Sequence, residues 1–248
     1  MGFFDFLKSS PKKEVAGDLS FLGVDMHSHV LPGLDDGSQN LEDSFNFAKE
    51  LHGMGYNKLI CTPHVISDMY PNNKSTIDPA YELLKAKLAA ENIPLELDYA
   101  AEFMVNEAFE NIITDGQLLT FGKNYVLIEM SYLYESPNIK EMVFELLVQG
   151  LQPVLAHPER YNFYNNNYDG IKSFIDAGCL LQVNLLSFTG YYGKPAKHTA
   201  EMMVKDKILS FAGTDLHHYK HLGMLKRLSQ DRSITDQLRS VELKNNTL

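Results

Sequence analysis

Cysteine is scarce in this sequence, which carries only Cys61 and Cys179 among its 248 residues. Two cysteines are too few for a disulfide framework or for a cysteine-rich zinc site. Each lies in or beside an apolar run, so we predict that both are buried thiols. The chemistry of the protein should therefore come from other side chains.

Long apolar stretches are also missing, since no run approaches the roughly 18 residues that a membrane helix needs. The opening segment MGFFDFLKSSPKKE is too short, and too mixed in charge, to act as a signal peptide. We therefore expect a cytoplasmic protein without membrane insertion. Residues 1–20 are predicted to form an N-terminal extension, a frayed end in preference to a docking arm, with apolar residues at Phe3, Phe4, Phe6 and Leu7.

Positive charge is in deficit, because 22 Lys and Arg stand against 32 Asp and Glu and give a net charge of −10. This balance argues against an electrostatic grip on nucleic acid. No G-x-G-x-x-G or G-x-x-x-x-G-K-[ST] loop follows a predicted strand, which disfavours a nucleotide-binding open sheet. The hydrophobic fraction of 44% predicts an ordinary folded core.

Short apolar runs alternate with amphipathic stretches from about residue 21 onward. Such alternation predicts parallel strands joined by helices, and seven units in this length favour an α/β barrel over an open doubly wound sheet. The predicted strands are 21–26, 58–61, 95–100, 125–129, 152–156, 180–184 and 209–212. The predicted helices are 40–53, 79–91, 138–149, 168–177, 195–205 and 222–231. One barrel domain is thus expected over residues 21–248.

Side chains that bind metal ions follow six of the seven predicted strands. In chain order the polar groups at these strand ends are His27, His29, Asp35, Asp36, His64, Glu102, Glu129, His157, Arg160, Asp215 and His217. Since the carboxyl ends of parallel barrel strands share one face, these groups should converge in one mouth. A single strand-end histidine is usually a core or rim residue, and His52, His198 and His221 are expected to be so. The repetition favours a functional site.

Clustered imidazoles and carboxylates need compensation, because packed carboxylates repel one another and desolvated charges need partners. Divalent metal ions provide it, and mixed nitrogen and oxygen ligation suits zinc, manganese or iron. The number of ligands exceeds what one ion takes while leaving a position open for water. The sequence therefore predicts two or three ions.

Taken in order, the segments DMHSHVLPGLDDG, CTPH, AAEF, IEM, AHPERY and TDLHH resemble the PHP (polymerase and histidinol phosphatase) superfamily. They are most similar to its branch of bacterial manganese-dependent protein-tyrosine phosphatases linked to capsule and exopolysaccharide synthesis. The resemblance covers about residues 21–230. It implies a distorted (β/α)7 TIM-like barrel with a metal site at the C-terminal mouth, most often loaded with manganese.

The resemblance also implies which residues hold three ions. The first ion takes His27, His29, Glu102 and Asp215, and the second shares Glu102 and adds Glu129 and His157. A third takes His64, His217 and one aspartate of the DDG segment, with Asp36 preferred to Asp35. Arg160 matches the phosphate-binding arginine of the family. Apart from the resemblance, His64, His217 or the nearby Asp35 is a candidate for assisting the leaving group.

The substrate side of the site is less well specified. Tyr161 and the Tyr191–Tyr192 pair could form an aromatic rim for a phosphotyrosine ring, or could be half-buried loop residues. The family pattern has a second arginine soon after the D-x-H motif. In this sequence the first arginine after that motif is Arg227, about ten residues on. Lys220 or His218 is expected to take its place.

The implied activity is hydrolysis of phosphotyrosine on a protein, in this family a tyrosine kinase that controls polysaccharide export. One alternative is a small-molecule phosphatase of the histidinol-phosphatase type, and another is a non-catalytic metal-binding interaction domain. Phosphodiester hydrolysis on nucleic acid is disfavoured by the net charge of −10. The helix that starts at Asn40 places Phe47 off its core stripe, which fits either an oligomer interface or a plain surface.

Overall fold

The computed structural model describes residues 18–248. Its strands are β1 Val24–Asp25, β2 Lys58–Cys61, β3 His64–Val65, β4 Glu96–Tyr99, β5 Glu102–Met104, β6 Tyr125–Glu129, β7 Gln152–Leu155, β8 Leu180–Asn184 and β9 Phe211–Gly213. Its helices are α1 Leu41–Gly53, α2 Lys74–Ala90, α3 Glu107–Thr114, α4 Ile139–Val148, α5 Tyr168–Asp176, α6 Lys194–Lys205, α7 Tyr219–Leu228 and α8 Arg232–Arg239. The α/β class predicted from the sequence is confirmed.

The strands pair in parallel, in the orders β1-β2-β4 and β3-β5-β6-β7-β8-β9. Backbone hydrogen bonds span the short breaks between the two groups: Ala100 N donates to Cys61 O at 2.8 Å, and Glu102 N to Pro63 O at 3.1 Å. A parallel bridge between Ser28 and Leu216 joins the chain after β1 to the chain after β9. The result is a curled parallel sheet, consistent with a distorted TIM-like barrel.

The core has an inner and an outer layer. The inner layer fills the curl of the sheet and comprises Val24, Met26, Ile60, Ala100, Phe121, Leu127, Val154, Ala156 and Phe211. The outer layer lies between the strands and the helices that follow them, and it is the larger cluster. The inner layer is apolar. The polar strand-end motifs lie beyond it, at the carboxyl end of the sheet.

Several element boundaries differ from those predicted. The first predicted strand is reduced to Val24–Asp25, because a turn closes ahead of it with Leu22 N bonded to Leu19 O. Helix α2 begins five residues earlier than predicted, since Asn73 forms a capping box with Thr76 and the helix accommodates Pro79. Helices α3 and α8 were not predicted.

Helix α1 begins as expected, with the Asn40 side chain accepting a hydrogen bond from Asp43 N at 3.0 Å. Phe47 is not a free surface residue, because it is 2% exposed and packs edge-on against Tyr219 of α7. The idea of an oligomer interface at Phe47 was therefore wrong.

The end of the predicted extension is packed onto the domain. Leu19 is fully buried and its N–H donates to Met54 O at 2.8 Å. The possible docking arm at Phe3, Phe4, Phe6 and Leu7 lies outside the described residues. Within residues 18–248, no helix is both long and apolar enough to cross a membrane.

Candidate metal centre

The strand-end groups converge in one mouth at the carboxyl end of the sheet. Eight of the predicted ligands fall into four overlapping groups whose ligand atoms lie within 4.8 Å of one another. These eight are His27, His29, His64, Glu102, Glu129, His157, Asp215 and His217. Side chains that follow strands far apart in the sequence therefore lie close together in space.

The tightest group surrounds the two histidines that follow β1. His27 Nε2 lies 3.2 Å from His29 Nε2, 3.2 Å from Glu102 Oε2 and 3.4 Å from Asp215 Oδ1. His29 Nε2 lies 3.3 Å from each of the same two carboxylate oxygens. Ligand atoms bound at about 2.0–2.2 Å around one zinc-like ion lie about 3.3 Å apart, so the spacing fits a shared cation.

A second group faces the ends of β5 and β6. His64 Nδ1 is 2.8 Å from Glu129 Oε1 and 3.1 Å from Glu102 Oε2, and His157 Nε2 is 3.0 Å from Glu102 Oε1. Although these atoms are close, their contacts lack hydrogen-bonding geometry, so buried Glu102 Oε2, Glu129 Oε1 and His64 Nδ1 find no hydrogen-bond partner among the described residues. A buried carboxylate oxygen without a partner is costly, and a bound cation would satisfy it. Glu102 reaches both groups.

The two aspartates of the DDG segment have different surroundings. Asp35 is buried, and its Oδ2 accepts from His29 Nδ1 at 2.8 Å and from His64 N at 3.0 Å. The Asp36 side chain is 57% exposed, with Oδ1 at 3.6 Å from Nε2 of both His64 and His217. Asp35 is therefore committed to orienting His29, and Asp36 is the carboxylate free to join His64 and His217.

Two backbone features hold these side chains in place. His157 and Asp215 adopt left-handed φ angles of 35° and 50°, which non-glycine residues rarely do outside functional or tightly held sites. A Cβ on Gly37 would lie 2.2 Å from His29 O, so only glycine permits the turn that returns the DDG segment to the mouth.

Strand β8 supports the mouth, although it supplies no metal-binding type of side chain. Buried Gln182 presents Oε1 at 2.9 Å from His27 Nδ1, so that ring nitrogen carries the proton and Nε2 keeps its lone pair for an ion. Gln182 Nε2 donates to Asn184 Oδ1 at 2.9 Å, and Asn184 Nδ2 donates to Asp215 Oδ2 at 2.6 Å. This pair was not predicted, although polar residues two apart in the strand LLQVN were a usable signal.

The electrostatics of the mouth are those of tightly packed acids and bases. Burial acts to raise the pKa of Glu102, but the neighbouring His27 and His64 hold it well below the usual glutamate value. Burial and the Glu102 charge raise the pKa of Glu129. Burial lowers the pKa of His157 to about 4, with the Arg160 charge adding to the effect. A neutral imidazole of this kind is ready to bind a metal ion.

Arg160 lies at the edge of the mouth and pairs with a predicted ligand. Its Nη1 donates to Asp215 Oδ2 at 2.5 Å, on the side of the carboxylate that faces away from His27 and His29. Its guanidinium carbon is 4.7 Å from the Tyr132 ring centre and 4.1 Å from that of Tyr192. Tyr132 lies three residues after the end of β6 and was not predicted as a site residue.

The structure places the other predicted substrate residues differently. Tyr161 is fully buried, and its hydroxyl donates to Ala156 O and accepts from Met130 N, so it forms no part of a rim. The predicted rim role of Tyr161 was wrong. Lys220 is exposed on α7, with Nζ 5.0 Å from the Tyr191 ring centre. His221 is buried and packs edge-on against Tyr191.

The model of the CpsB/CapC family of capsular polysaccharide synthesis matches residues 23–227 of the 248. The chain belongs to this family. It is 28% identical over 198 residues to tyrosine-protein phosphatase YwqE of Bacillus subtilis, covering 79% of this chain and 78% of that protein. It is 27% identical over 203 residues to tyrosine-protein phosphatase CpsB of Streptococcus pneumoniae, covering 79% and 83%.

A solved structure supports the family assignment. It belongs to a set of crystal structures of YwqE from Bacillus subtilis and CpsB from Streptococcus pneumoniae, metal-dependent tyrosine phosphatases. The TM-score is 0.75 at 25% identity, over 89% of this chain and 96% of the other. The resemblance identified from the strand-end motifs is thereby confirmed, and this CpsB/CapC member shares the fold of those enzymes.

Proposed function

We propose that this CpsB/CapC protein is a metal-dependent protein-tyrosine phosphatase that acts in capsular or exopolysaccharide synthesis. The observation that carries the proposal is the mouth itself, where four overlapping groups of ligand atoms include buried carboxylate oxygens without a partner among residues 18–248. The tyrosine-protein phosphatases YwqE and CpsB, to which the chain is similar along most of its length, supply the substrate class.

Nine residues are proposed to hold two or three divalent ions, manganese in preference to iron or zinc: His27, His29, Asp36, His64, Glu102, Glu129, His157, Asp215 and His217. Ions bound there would act as Lewis acids on the phosphoryl group and lower the pKa of water. Gln182 and Asp35 fix the ring orientations of His27 and His29 through their Nδ1 atoms. Arg160 would bind phosphoryl oxygens through the N–H groups that it does not give to Asp215.

The leaving group explains the preference for phosphotyrosine. Phenol has a pKa of about 10, so a phenolate departs far more readily than an alkoxide and needs little help from an acid. His64 and His217, whose side chains are each 13% exposed at the mouth, are the candidates for assisting it. Neither cysteine is placed to act as a nucleophile, since both thiols are buried.

Finer features belong to the same proposal. We infer that β2 with β3, and β4 with β5, are two interrupted strands, which makes seven strand positions and a (β/α)7 barrel over residues 21–248. The proposed partner is a bacterial tyrosine kinase, and Lys220 is proposed to replace the second phosphate-binding arginine. A cytoplasmic location is supported by two free, buried cysteines.

The test is a substrate comparison with and without a chelator. We expect manganese-dependent hydrolysis of a phosphotyrosine peptide, much slower hydrolysis of the matched phosphoserine peptide, and loss of both on chelation. Faster hydrolysis of histidinol phosphate would favour the small-molecule alternative. Bound manganese without hydrolysis of any of the three would favour a metal-binding interaction domain.

A further inference from the structure

Two aromatic rings lie close to the guanidinium of Arg160. Its guanidinium carbon lies 4.7 Å from the ring centre of Tyr132 and 4.1 Å from that of Tyr192, both within cation–π range. Tyr132 comes from the loop after β6 and Tyr192 from the segment before α6. Two segments about 60 residues apart therefore meet on one cation.

We propose that Tyr132 and Tyr192 form an aromatic clamp that positions the Arg160 guanidinium for phosphate. The inference rests on the proposed function, because it gives Arg160 a phosphoryl group to bind. Both tyrosines are positioning residues in this scheme, since they act through Arg160.

Aromatic rings can position Arg160 without using its N–H donors, which additional carboxylates could not do. Within residues 18–248 the side-chain hydrogen bond of Arg160 is the single one from Nη1 to Asp215 Oδ2. A guanidinium has five N–H donors, and ring faces hold the cation without using any of them. The rest of the fork stays free for phosphoryl oxygens, whereas additional carboxylates would have consumed it and opposed the negative substrate.

Each ring packs against other side chains, although Tyr132 is 37% exposed. Tyr132 stacks against His157 with ring centres 5.7 Å apart and lies 5.7 Å from buried Tyr161. Tyr192 packs at 89° against Tyr191 with ring centres 5.0 Å apart. Because the rings cannot easily follow a moving guanidinium, they reduce the ordering cost that phosphate binding would otherwise incur.

The hydroxyl groups are not what the clamp uses. Tyr192 OH is buried and has no hydrogen-bond partner among the described residues. Replacing such a group by hydrogen removes an unsatisfied polar atom while leaving the ring face in place. The conservative variants Tyr132→Phe and Tyr192→Phe should therefore keep the clamp, whereas Tyr132→Leu and Tyr192→Leu should lose it.

The experiment measures inorganic phosphate binding to the manganese-loaded full chain by calorimetry, alongside KM, kcat and metal content. Each leucine variant should weaken phosphate binding about tenfold and raise the KM for a phosphotyrosine peptide, while the phenylalanine variants stay within about twofold of wild type. Metal content should not change. Tyr134→Leu, an exposed tyrosine in the same loop as Tyr132, is the matched control and should bind phosphate like wild type.

Three results would overturn the clamp. Leucine variants that bind phosphate normally but raise the peptide KM would show that the rings contact the substrate and not Arg160. If the phenylalanine variants bound phosphate as weakly as the leucine variants, the ring faces would not be what positions Arg160. Loss of manganese in the leucine variants would show a structural role. Because phosphate binding needs no turnover, failure of the clamp is distinguishable from absence of phosphatase activity in wild type.

Discussion

Gln182 offers a sharp test of how the metal centre is held together. The perturbation is Gln182→Met, which keeps the side-chain volume and removes the oxygen that lies 2.9 Å from His27 Nδ1. The His27 ring would then lose the partner that fixes its protonated nitrogen, in a place where both residues are fully buried. Losing such a support to a metal-binding histidine typically weakens metal affinity about 10–100-fold.

The unpaired His27 N–H in this variant accounts for a loss of metal affinity of similar size. Leaving one buried N–H group unpaired costs about 1–3 kcal/mol, which corresponds to about 5–150-fold in an equilibrium constant. The assay is calorimetric titration of metal-free protein with manganese. Gln152→Met is the matched control, because Gln152 starts the neighbouring strand about 16 Å from the mouth and donates to Gly178 O. Equal manganese affinity in the two variants would refute the supporting role of Gln182.

Three further predictions follow from particular contacts. Burial raises the pKa of the Cys179 thiol to about 12 and also raises that of Cys61, so iodoacetamide should not inactivate the native enzyme, whereas rapid loss of activity would point to a cysteine nucleophile. Asp36→Asn should remove about one equivalent of bound manganese by metal analysis while leaving the fold intact, and an unchanged count would return the ligand role to Asp35. Asn40→Ala should lower the free energy of unfolding in urea by about 1 kcal/mol through loss of the α1 cap, and no change would contradict the cap.

The site was predictable from sequence to the extent that it depends on barrel geometry. Side chains that follow parallel strands must emerge at one end of the sheet, whatever the details of the strands. The predicted bounds of β6 and β8 match the observed ones. Strand β6 is a continuous apolar run that ends in Glu129, and β8 is a mostly apolar run, interrupted by Gln182, that ends in Asn184.

What sequence could not decide depends on local turns and on partners distant in the chain. The different surroundings of Asp35 and Asp36 follow from the turn at Gly37, which sends the Asp35 carboxylate inward to His29. The burial of Tyr161 depends on backbone groups at Met130 and Ala156 that satisfy its hydroxyl, and the segment RYNFYN itself reads as an exposed loop.

One strand interruption and one helix were also not predicted. Pro63 follows Thr62 and has no N–H to donate, so the second strand breaks there and continues as β3. The apolar pattern ends at Cys61 and did not predict β3. The helix beginning at Glu107 was missed because its cap, Asn106, lies in a segment read as a loop after the third strand. In both places hydrogen bonding outweighed the hydrophobic pattern.

The central claim is that the histidine and carboxylate mouth is the metal centre at which phosphotyrosine is hydrolysed. The most direct test compares His29→Ala with His52→Ala, a histidine on α1 whose Nδ1 is bonded to Tyr56 O. Bound manganese and phosphotyrosine turnover should fall together in His29→Ala and stay at wild-type levels in His52→Ala. Full turnover in His29→Ala would contradict the account.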